Sequence, residues 1–378
     1  LSTGSSEPTR WAIDEVTVTP CIQRQEDPTW QFARGGIPQI QGWIVTLRSA
    51  SGHEGWGHVL TTPIAQPDAH GMRLAVEAAA SAVRGLGALD QEALCAVLGE
   101  VCPDRPSVQA GFSSAALELS ARSLNLPLHA LLGGAVRRSI PATRLIPIKP
   151  PEAMAEQAHR LQAQGYRGLK LKLNGQADAD IARVRAVRAV VGNGMLLTVD
   201  ANQAYDAANA IEVCRALAHE NVTLMEQPVP AADVDGLKRV TDAGLMRIEA
   251  DESIGSLAGL VRLIKMDAAH SYNLKVPYLG GLRNTLKAAQ ICEAAGVRCR
   301  LGAIFAPRIA SAQAAHLAAV LKSVDGGAEI AESEHLLDDP FSGFDARDGL
   351  VPVLAGPGSG VRWSRTHENL NERRPHHA

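Results

Sequence analysis

From about residue 140 the chain settles into a strict alternation that few folds can absorb. Short apolar runs are each followed by an amphipathic segment. The eight runs are RLIPI, GLKLKL, LLTVDAN, VTLMEQP, RIEADES, SYNLKVP, VRCRLGAIF and AEIAES. Seven segments with apolar residues at helical spacing separate them, from EAMAEQAHRLQAQG to RIASAQAAHLAAVL. Strands alternating with helices pair in parallel, because a parallel connection needs a crossover of a dozen or more residues. An open doubly wound sheet satisfies the pattern, but eight successive units at a period of about 20–30 residues favour a closed barrel. No glycine-rich dinucleotide fingerprint follows any run.

The first third reads differently. WAIDEVTVTP alternates, and QGWIVTLRSASGHEGWGHVL reads as strand, Ser-Gly turn, strand. LAVEAAASAVRGL, QEALCAVLGEV and SSAALELSARSLNL carry helical spacing. An α+β domain over residues 1–139 is therefore expected ahead of a barrel over 140–335. Residues 336–378, with GFDARDGLVPVLAGPGSG, are expected to return to the first domain. In HEGWGH, His53 and His58 stand five apart in a glycine-rich setting, which is not the helical zinc pattern and predicts a hairpin turn.

Composition excludes several classes. The 378 residues are 46% hydrophobic and 20% charged with a net charge of −3, so no basic surface for nucleic acid is implied. No apolar run reaches the roughly 18 residues of a membrane span. LSTGSSEPTR lacks the apolar core of a signal peptide. The six cysteines form no C-x-x-C pair and read as reduced thiols, which predicts a cytoplasmic location.

Polar residues gather at the ends of the barrel runs. The third ends in Asp200 and Asn202, the fourth in Glu226, the fifth in Glu249, Asp251 and Glu252, and the sixth carries Lys275. The steps from Asp200 to Glu226, Asp251 and Lys275 are 26, 25 and 24 residues, one strand–helix unit each. Such groups recur on one face, and the C-terminal face of a barrel is where active sites lie. Three carboxylates brought together repel one another unless a cation sits among them, and hard oxygens with open positions suit Mg²⁺. Asp200, Glu226 and Asp251 form the natural trio.

In GLKLKLN the side chains at i and i+2 share a face. Leu169, Leu171 and Leu173 are expected to pack outward on helices, leaving Lys170 and Lys172 inside, with Lys275 arriving from across the barrel. A lysine beside another cation and a divalent metal has its neutral form favoured, so a base near neutral pH is expected. A metal with such a lysine answers the difficulty of removing a proton next to a carboxylate.

These residues resemble the enolase superfamily in its muconate-lactonizing-enzyme branch. The resemblance is carried by GLKLKLN, TVDANQAY, LMEQPV, EADES and NLKVPYLGG, with ALELSARSLNLPLHALLGG in the first domain. It implies an α/β fold, a modified TIM barrel of (β/α)7β type with an N-terminal α+β capping domain. It further implies one Mg²⁺ on Asp200, Glu226 and Asp251, and Lys172 and Lys275 as an acid/base pair on opposite faces of the substrate. Lys170 matches an assisting lysine, and Asn202 and Glu252 match positions behind the ligands. The implied activity is α-proton abstraction from a small-molecule carboxylate through an enediolate. Racemisation or epimerisation of an amino-acid derivative or dipeptide is the simplest outcome. A dehydratase on a hydroxyproline-like substrate, or a cycloisomerase or o-succinylbenzoate-synthase-like enzyme, uses the same half-reaction. A Schiff-base lysine and a non-catalytic binding protein on the same fold are more distant readings. Relatives are commonly homo-oligomers.

Some positions depart from the family. Gly55-Trp56-Gly57-His58 carries His58 where a glutamate is usual, ALELSARS lacks the usual aspartate, and the seventh strand ends in Ala306-Pro307-Arg308 without a histidine. The resemblance assigns specificity to loops near 27–36 and 51–57 and to the last strands. Trp30, Phe32, Arg34, Phe305 and Arg308 are the expected lining residues. Trp30 could stack on a cation, and Arg34 or Arg308 could pair a second carboxylate. The eighth strand lacks an aspartate-x-aspartate pattern for a dipeptide's amino group, and Glu332 or Glu334 is the expected substitute.

Overall fold

The computed structural model describes residues 11–61, 68–302, 304–322 and 327–364. The polar stretch 1–10 and the end of the 336–378 segment lie outside the described residues.

The N-terminal part is a three-stranded antiparallel sheet with Gln39–Ser49 between Ile13–Arg24 and Glu54–Leu60. The turn between the last two strands is the hairpin expected from HEGWGH. Helices Ala69–Ala82, Gln91–Val101 and Pro106–Ser123 share one apolar core with the sheet through Val45, Leu47, Val59, Leu98 and Phe112. Gly55 and Gly57 let the edge strand lie directly on the third helix. A Cβ at Gly57 would fall 2.0 Å from the Gly111 carbonyl oxygen, and one at Gly55 would fall 2.2 Å from the Leu119 nitrogen.

The barrel follows. Seven parallel strands bond in chain order: Thr143–Ile146, Gly168–Lys172, Leu196–Asp200, Val222–Glu226, Arg247–Ala250, Ser271–Leu274 and Arg298–Leu301. The eighth run is not a regular strand, yet it joins both edges. Ala328 N donates to the Pro141 carbonyl at 3.0 Å, Thr143 N to the Ala328 carbonyl at 3.1 Å, and Glu329 N to the Leu301 carbonyl at 3.0 Å. The ring is closed through Ala328 and Glu329, and from Glu332 to His335 the chain turns away as a 3₁₀ helix.

Seven α-helices, from Pro151–Ala163 to Arg308–Val320, fill the strand-to-strand connections among the described residues. Several begin with side-chain caps directly after a strand. Asp206 accepts from Asn209 N at 2.8 Å, Asp233 from Gly236 N at 2.8 Å and Ser256 from Gly259 N at 3.0 Å. Each such cap contributes about 1 kcal/mol. Leu169, Leu171 and Leu173 are fully buried in the layer between strands and helices, in one cluster with Met154, Val184 and Val187. That outward packing leaves the alternate positions of the same strand inside the ring. The tail comes back as Leu350–Pro352, paired antiparallel with Ser139–Pro141. No disulfide links the six cysteines. No helix among the described residues is long and apolar enough to cross a membrane.

Candidate active site

Strand register builds the site. Lys172 pairs with Asp200, and Asp200 with Glu226, so three charged residues from neighbouring strands stand at one level. Asp251 and Lys275 each follow the last residue of their strand. Just past the strand ends the backbone enters the left-handed region at three non-glycine residues, Asn202 at φ 42°, Gln203 at φ 72° and Gln227 at φ 34°. Such conformations persist only where the surroundings over-determine them. Gln227 shows how: its Oε1 accepts from Asp251 N at 2.9 Å and its Nε2 donates to Ser253 Oγ at 2.8 Å, fastening the fourth strand end to the fifth.

The charges pair across the ring. Lys172 Nζ donates to Asp200 Oδ2 at 2.5 Å and to Asn202 Oδ1 at 3.0 Å. Asn202 Nδ2 reaches Glu252 Oε1 at 3.4 Å. Lys170 Nζ donates to Glu226 Oε2 at 2.8 Å and to Glu329 Oε2 at 2.6 Å. Lys275 Nζ donates to Asp251 Oδ2 and lies 3.9 Å from Glu226. Asp200, Glu226 and Asp251 are at most 4% exposed.

The electrostatics follow from this crowding. Burial opposes the ionisation of Glu226, but Lys170, Lys275 and Arg300 outweigh it and hold the carboxyl well below its usual range. Burial raises Asp200 and Asp251, and the neighbouring Glu226 charge adds to both. Burial also opposes the Lys170 and Lys275 charges. Glu226, Glu329 and Asp200 nevertheless hold Lys170 above the usual lysine range, and Asp251 and Glu226 do the same for Lys275. With carboxylates facing the ammonium groups directly, the charged forms of Lys170 and Lys275 are the favoured ones; the lowering expected from the sequence belongs to a lysine beside a bound divalent ion.

Among the described residues no three of His, Cys, Asp and Glu are drawn together as a formed metal centre. Lys170, Lys172 and Lys275 are the positive charges that meet these carboxylates. The donor set nonetheless suits a hard divalent ion. Three buried carboxylates come from consecutive strand ends, two of them destabilised as anions by the third, and each already rests on a positive charge.

Beneath this layer lies a second one, of which only Glu249 is named from the sequence. Arg300 is 2% exposed at the barrel centre and donates to Glu249 Oε2 at 2.5 Å from Nη2 and 3.1 Å from Nε. It also meets Glu226 at 3.3 Å and Glu329 at 3.2 Å. Asn273 Nδ2 donates to Glu226 Oε1 at 2.8 Å. Burial pushes Glu249 up to about 7 against the opposing pull of Arg300. Arg300 had a sequence signal: in VRCRL it alternates with Cys299 and Leu301 as Lys170 alternates with leucines.

Above the charges opens a cavity of about 350 Å³. Lys170, Lys172, Asn202, Asp251, Glu252, Asn273 and Lys275 line its floor, and Trp30, Phe32, Arg34 and Phe305 line its walls, as the sequence predicts for those four. The residues after Asp27 form a small hairpin, Gln31–Phe32 against Gly35–Gly36, which brings the aromatic side chains over the barrel mouth. Trp30 and Phe305 meet edge to face at 4.7 Å, and Lys172 Nζ lies 5.8 Å from the Phe32 ring centre.

Three expected lining residues are elsewhere. Arg308 Nη2 bonds Asp345 at 2.9 Å, and its Nη1 lies 3.4 Å from Asp339. Glu334 accepts from Tyr166 Oη at 2.8 Å and from Ala346 N at 2.6 Å. Glu332 is buried 3.1 Å from His335 Nε2, and that ring packs on Phe305 at 5.5 Å. The 3₁₀ turn carries both glutamates behind the wall, and the acid of this run that reaches the interior is Glu329. The 51–57 loop also fails to line the cavity, because Gly55 and Gly57 commit that strand to the helix beneath it. His58 is buried there, and desolvation pushes its imidazole down to about 3, so it is neutral at physiological pH.

Comparison with known proteins adds to this geometry. Residues 153–367 match the family model described as enolase C-terminal domain-like. A hydrophobic dipeptide epimerase of Enterococcus faecalis is 33% identical over 300 residues, 78% of this chain and 84% of that protein. The structure of the dipeptide epimerase from Enterococcus faecalis V583, complexed with Mg and the dipeptide L-Leu-L-Tyr, is similar with a TM-score of 0.88. Its identity is 30%, over 93% of this chain and 99% of that one. The structure of muconate lactonizing enzyme from Pseudomonas fluorescens, complexed with muconolactone, is similar with a TM-score of 0.91 and 26% identity, over 97% of this chain and all of that one.

Proposed function

The chain belongs to the enolase superfamily, in the subgroup of mandelate racemase and muconate lactonizing enzyme, and on that premise we propose that it is a Mg²⁺-dependent racemase or epimerase of an amino-acid derivative. The observation that carries this reading is the placement of Lys172 and Lys275. They stand on the second and sixth strands of an eight-membered ring, diametrically opposed, with Asp200, Glu226 and Asp251 along the arc between them.

Asp200, Glu226 and Asp251 would hold Mg²⁺, which supplies a Lewis acid to the substrate carboxylate. Glu252 and Asn202 keep the rim of that set polar and oriented. Lys172 and Lys275 reach the cavity from opposite sides of its floor. In its neutral form one takes the α-proton, and the other, protonated, returns a proton to the opposite face, inverting the carbon. Lys170 remains on Glu226 and Glu329 and keeps positive charge beneath the substrate's developing negative charge. The walls around Trp30 and Phe305 exclude water from the exchange.

Hydrogen–deuterium exchange at the α-carbon in D₂O tests the reading. Mg²⁺-dependent exchange with inversion supports it, and no exchange across a carboxylate library with both lysines intact would sink it. A cycloisomerase is the second reading, favoured by the similarity to muconate lactonizing enzyme. It would give ring closure or opening rather than inversion.

A further inference from the structure

We propose that Lys149 is a positioning residue: it latches the hairpin that carries Trp30 and Phe32 to the part of the barrel rim that presents Lys172. This deepens the proton-transfer reading above and rests on it for its kinetic consequence.

The hairpin has little to hold itself in place. Its strands, Gln31–Phe32 and Gly35–Gly36, are two residues each, and an isolated two-stranded ribbon is marginal in water. Yet it supplies Trp30, Phe32, Arg34 and Ile37 to the cavity lining. Apolar packing of Trp30 and Phe32 with Leu145 and Phe305 holds it in part, but such packing has no direction. Polar ties to the loop after the first barrel strand supply the direction. Ile148 N donates to the Gln31 carbonyl at 3.0 Å. One residue further, Lys149 Nζ lies 2.8 Å from Asp27 Oδ2 and donates to Thr29 Oγ1 and, at 3.4 Å, to the Thr29 carbonyl.

The turn that receives this ammonium group is closed on itself. Asp27 Oδ1 accepts from Thr29 N at 2.9 Å and from Thr29 Oγ1 at 2.6 Å, and Trp30 N donates to the Asp27 carbonyl at 3.0 Å. Burial opposes the Asp27 charge, but Lys149 and Thr29 outweigh it and hold the carboxyl below its ordinary range.

The anchor is fixed in turn, and to the charged floor. Arg183 Nε donates to the Lys149 carbonyl at 3.1 Å, and its Nη1 donates to Asp180 Oδ1 at 2.7 Å. Asp180 is fully buried and accepts from the backbone N–H groups of Asn174 and Gly175 at 3.1 and 3.0 Å, just past Lys172. Tyr205 Oη donates to the same carboxylate at 2.5 Å, in the segment that follows Asp200. One run of contacts therefore joins the hairpin to the strand ends that present Lys172 and Asp200. Lys149 is not among the residues that line the cavity, so it acts through the hairpin it holds.

The test uses the protein with Mg²⁺ and the variants Lys149→Met, which keeps an apolar stem, Asp27→Asn, their combination, and Lys149→Arg, each checked for folding by its melting temperature. Backbone deuterium uptake of the peptide spanning 27–37, followed by mass spectrometry, reads hairpin opening. Uptake is expected to quicken about three- to tenfold in each of the first two variants, the range of a partly exposed ion pair with added hydrogen bonds. It should quicken no further in the double variant and should return toward the parent rate in Lys149→Arg. Lys238→Met, which removes an exposed pair with Asp242, should leave this peptide unchanged. With any carboxylate whose α-proton exchanges in D₂O, KM should rise in Lys149→Met while kcat stays within about twofold of the parent, as expected when binding rather than chemistry is lost. Faster hairpin opening with no exchange of any carboxylate upholds the latch while the chemical reading fails. Unchanged uptake in folded Lys149→Met protein, additive effects in the double variant, equal opening in Lys238→Met, or a fall in kcat at constant KM overturns the inference and leaves the chemical reading standing.

Discussion

Lys172 Nζ stands 2.5 Å from Asp200 Oδ2 because the register of the second and third barrel strands sets their Cα atoms opposite one another. Lys275 makes the equivalent contact with Asp251 four strands round the ring from Lys172. Two lysines therefore hold the two outer carboxylates of a buried trio.

The lysines are expected to divide the chemistry by face. Lys172→Ala and Lys275→Ala should each lower kcat for racemisation by about 10²–10⁴-fold, the usual worth of a general acid or base. Each variant should still exchange the α-proton of one enantiomer only, and the two variants should retain opposite enantiomers. Proton NMR of separate D and L substrates in D₂O reads this. Equal loss on both enantiomers in both variants would contradict the opposed placement.

Metal removal should be visible in stability. A ligand that binds only the folded state at a hundred times its Kd adds about 2.7 kcal/mol. Mg²⁺ should raise the melting temperature of chelator-treated protein, and Asp251→Asn or Glu226→Gln should abolish most of that rise. Calorimetric unfolding with and without Mg²⁺ checks it. An unchanged midpoint in the unmutated protein would remove these carboxylates from consideration as ligands.

Arg300 joins Glu226, Glu249 and Glu329 in the barrel centre. Arg300→Met should destabilise the fold by about 3–5 kcal/mol, because it leaves buried carboxylates without their counter-charge. Adding Glu249→Gln to it should recover part of the loss. Denaturant unfolding of the single and double variants measures the coupling.

Glu118 reports on pH. Burial pushes its carboxyl from 4.5 to about 7, although Ser359 N and Oγ donate to it within 3.0 Å. The native state thus binds this proton more tightly than the unfolded chain. The stability it contributes is complete below about pH 4.5 and is lost as pH rises through about 7. Glu118→Gln should remove a slope amounting to about 3 kcal/mol across that window. The difference in unfolding free energy between variant and parent, followed from pH 4 to 8, isolates it from His58, whose lowered pKa acts in the opposite sense.

Gly57→Ala should destabilise by about 1–3 kcal/mol or more, since the added methyl meets a backbone carbonyl that a rotamer change cannot move. Thermal unfolding should show the loss. A neutral result would mean that the edge strand can shift off its helix.

Much of the site was legible because a parallel barrel turns chain spacing into geometry. Lys170, Lys172, Asp200, Glu226, Asp251 and Lys275 could be read as one constellation, since each strand delivers its C-terminal residue to the same rim. Asn273 and Gln227 stood in quoted motifs but carried no charge to draw notice. Glu332 and Glu334 were read as candidates, and Arg308 as a possible wall residue. Their actual partners, His335, Tyr166 and Asp345, sit in segments with no periodicity to place them.

By itself the sequence determined the alternating architecture and which side chains of each regular strand face inward, because a period of two assigns faces without reference to anything outside the strand. It determined the charged floor for the same reason. Only the tertiary structure decided what the irregular closing segment does. Its chain turns away three residues past Glu329, and a one-residue difference in register moves an acid from the interior to the far side of the wall. That difference leaves the cavity with an apolar far wall, which no local pattern encodes.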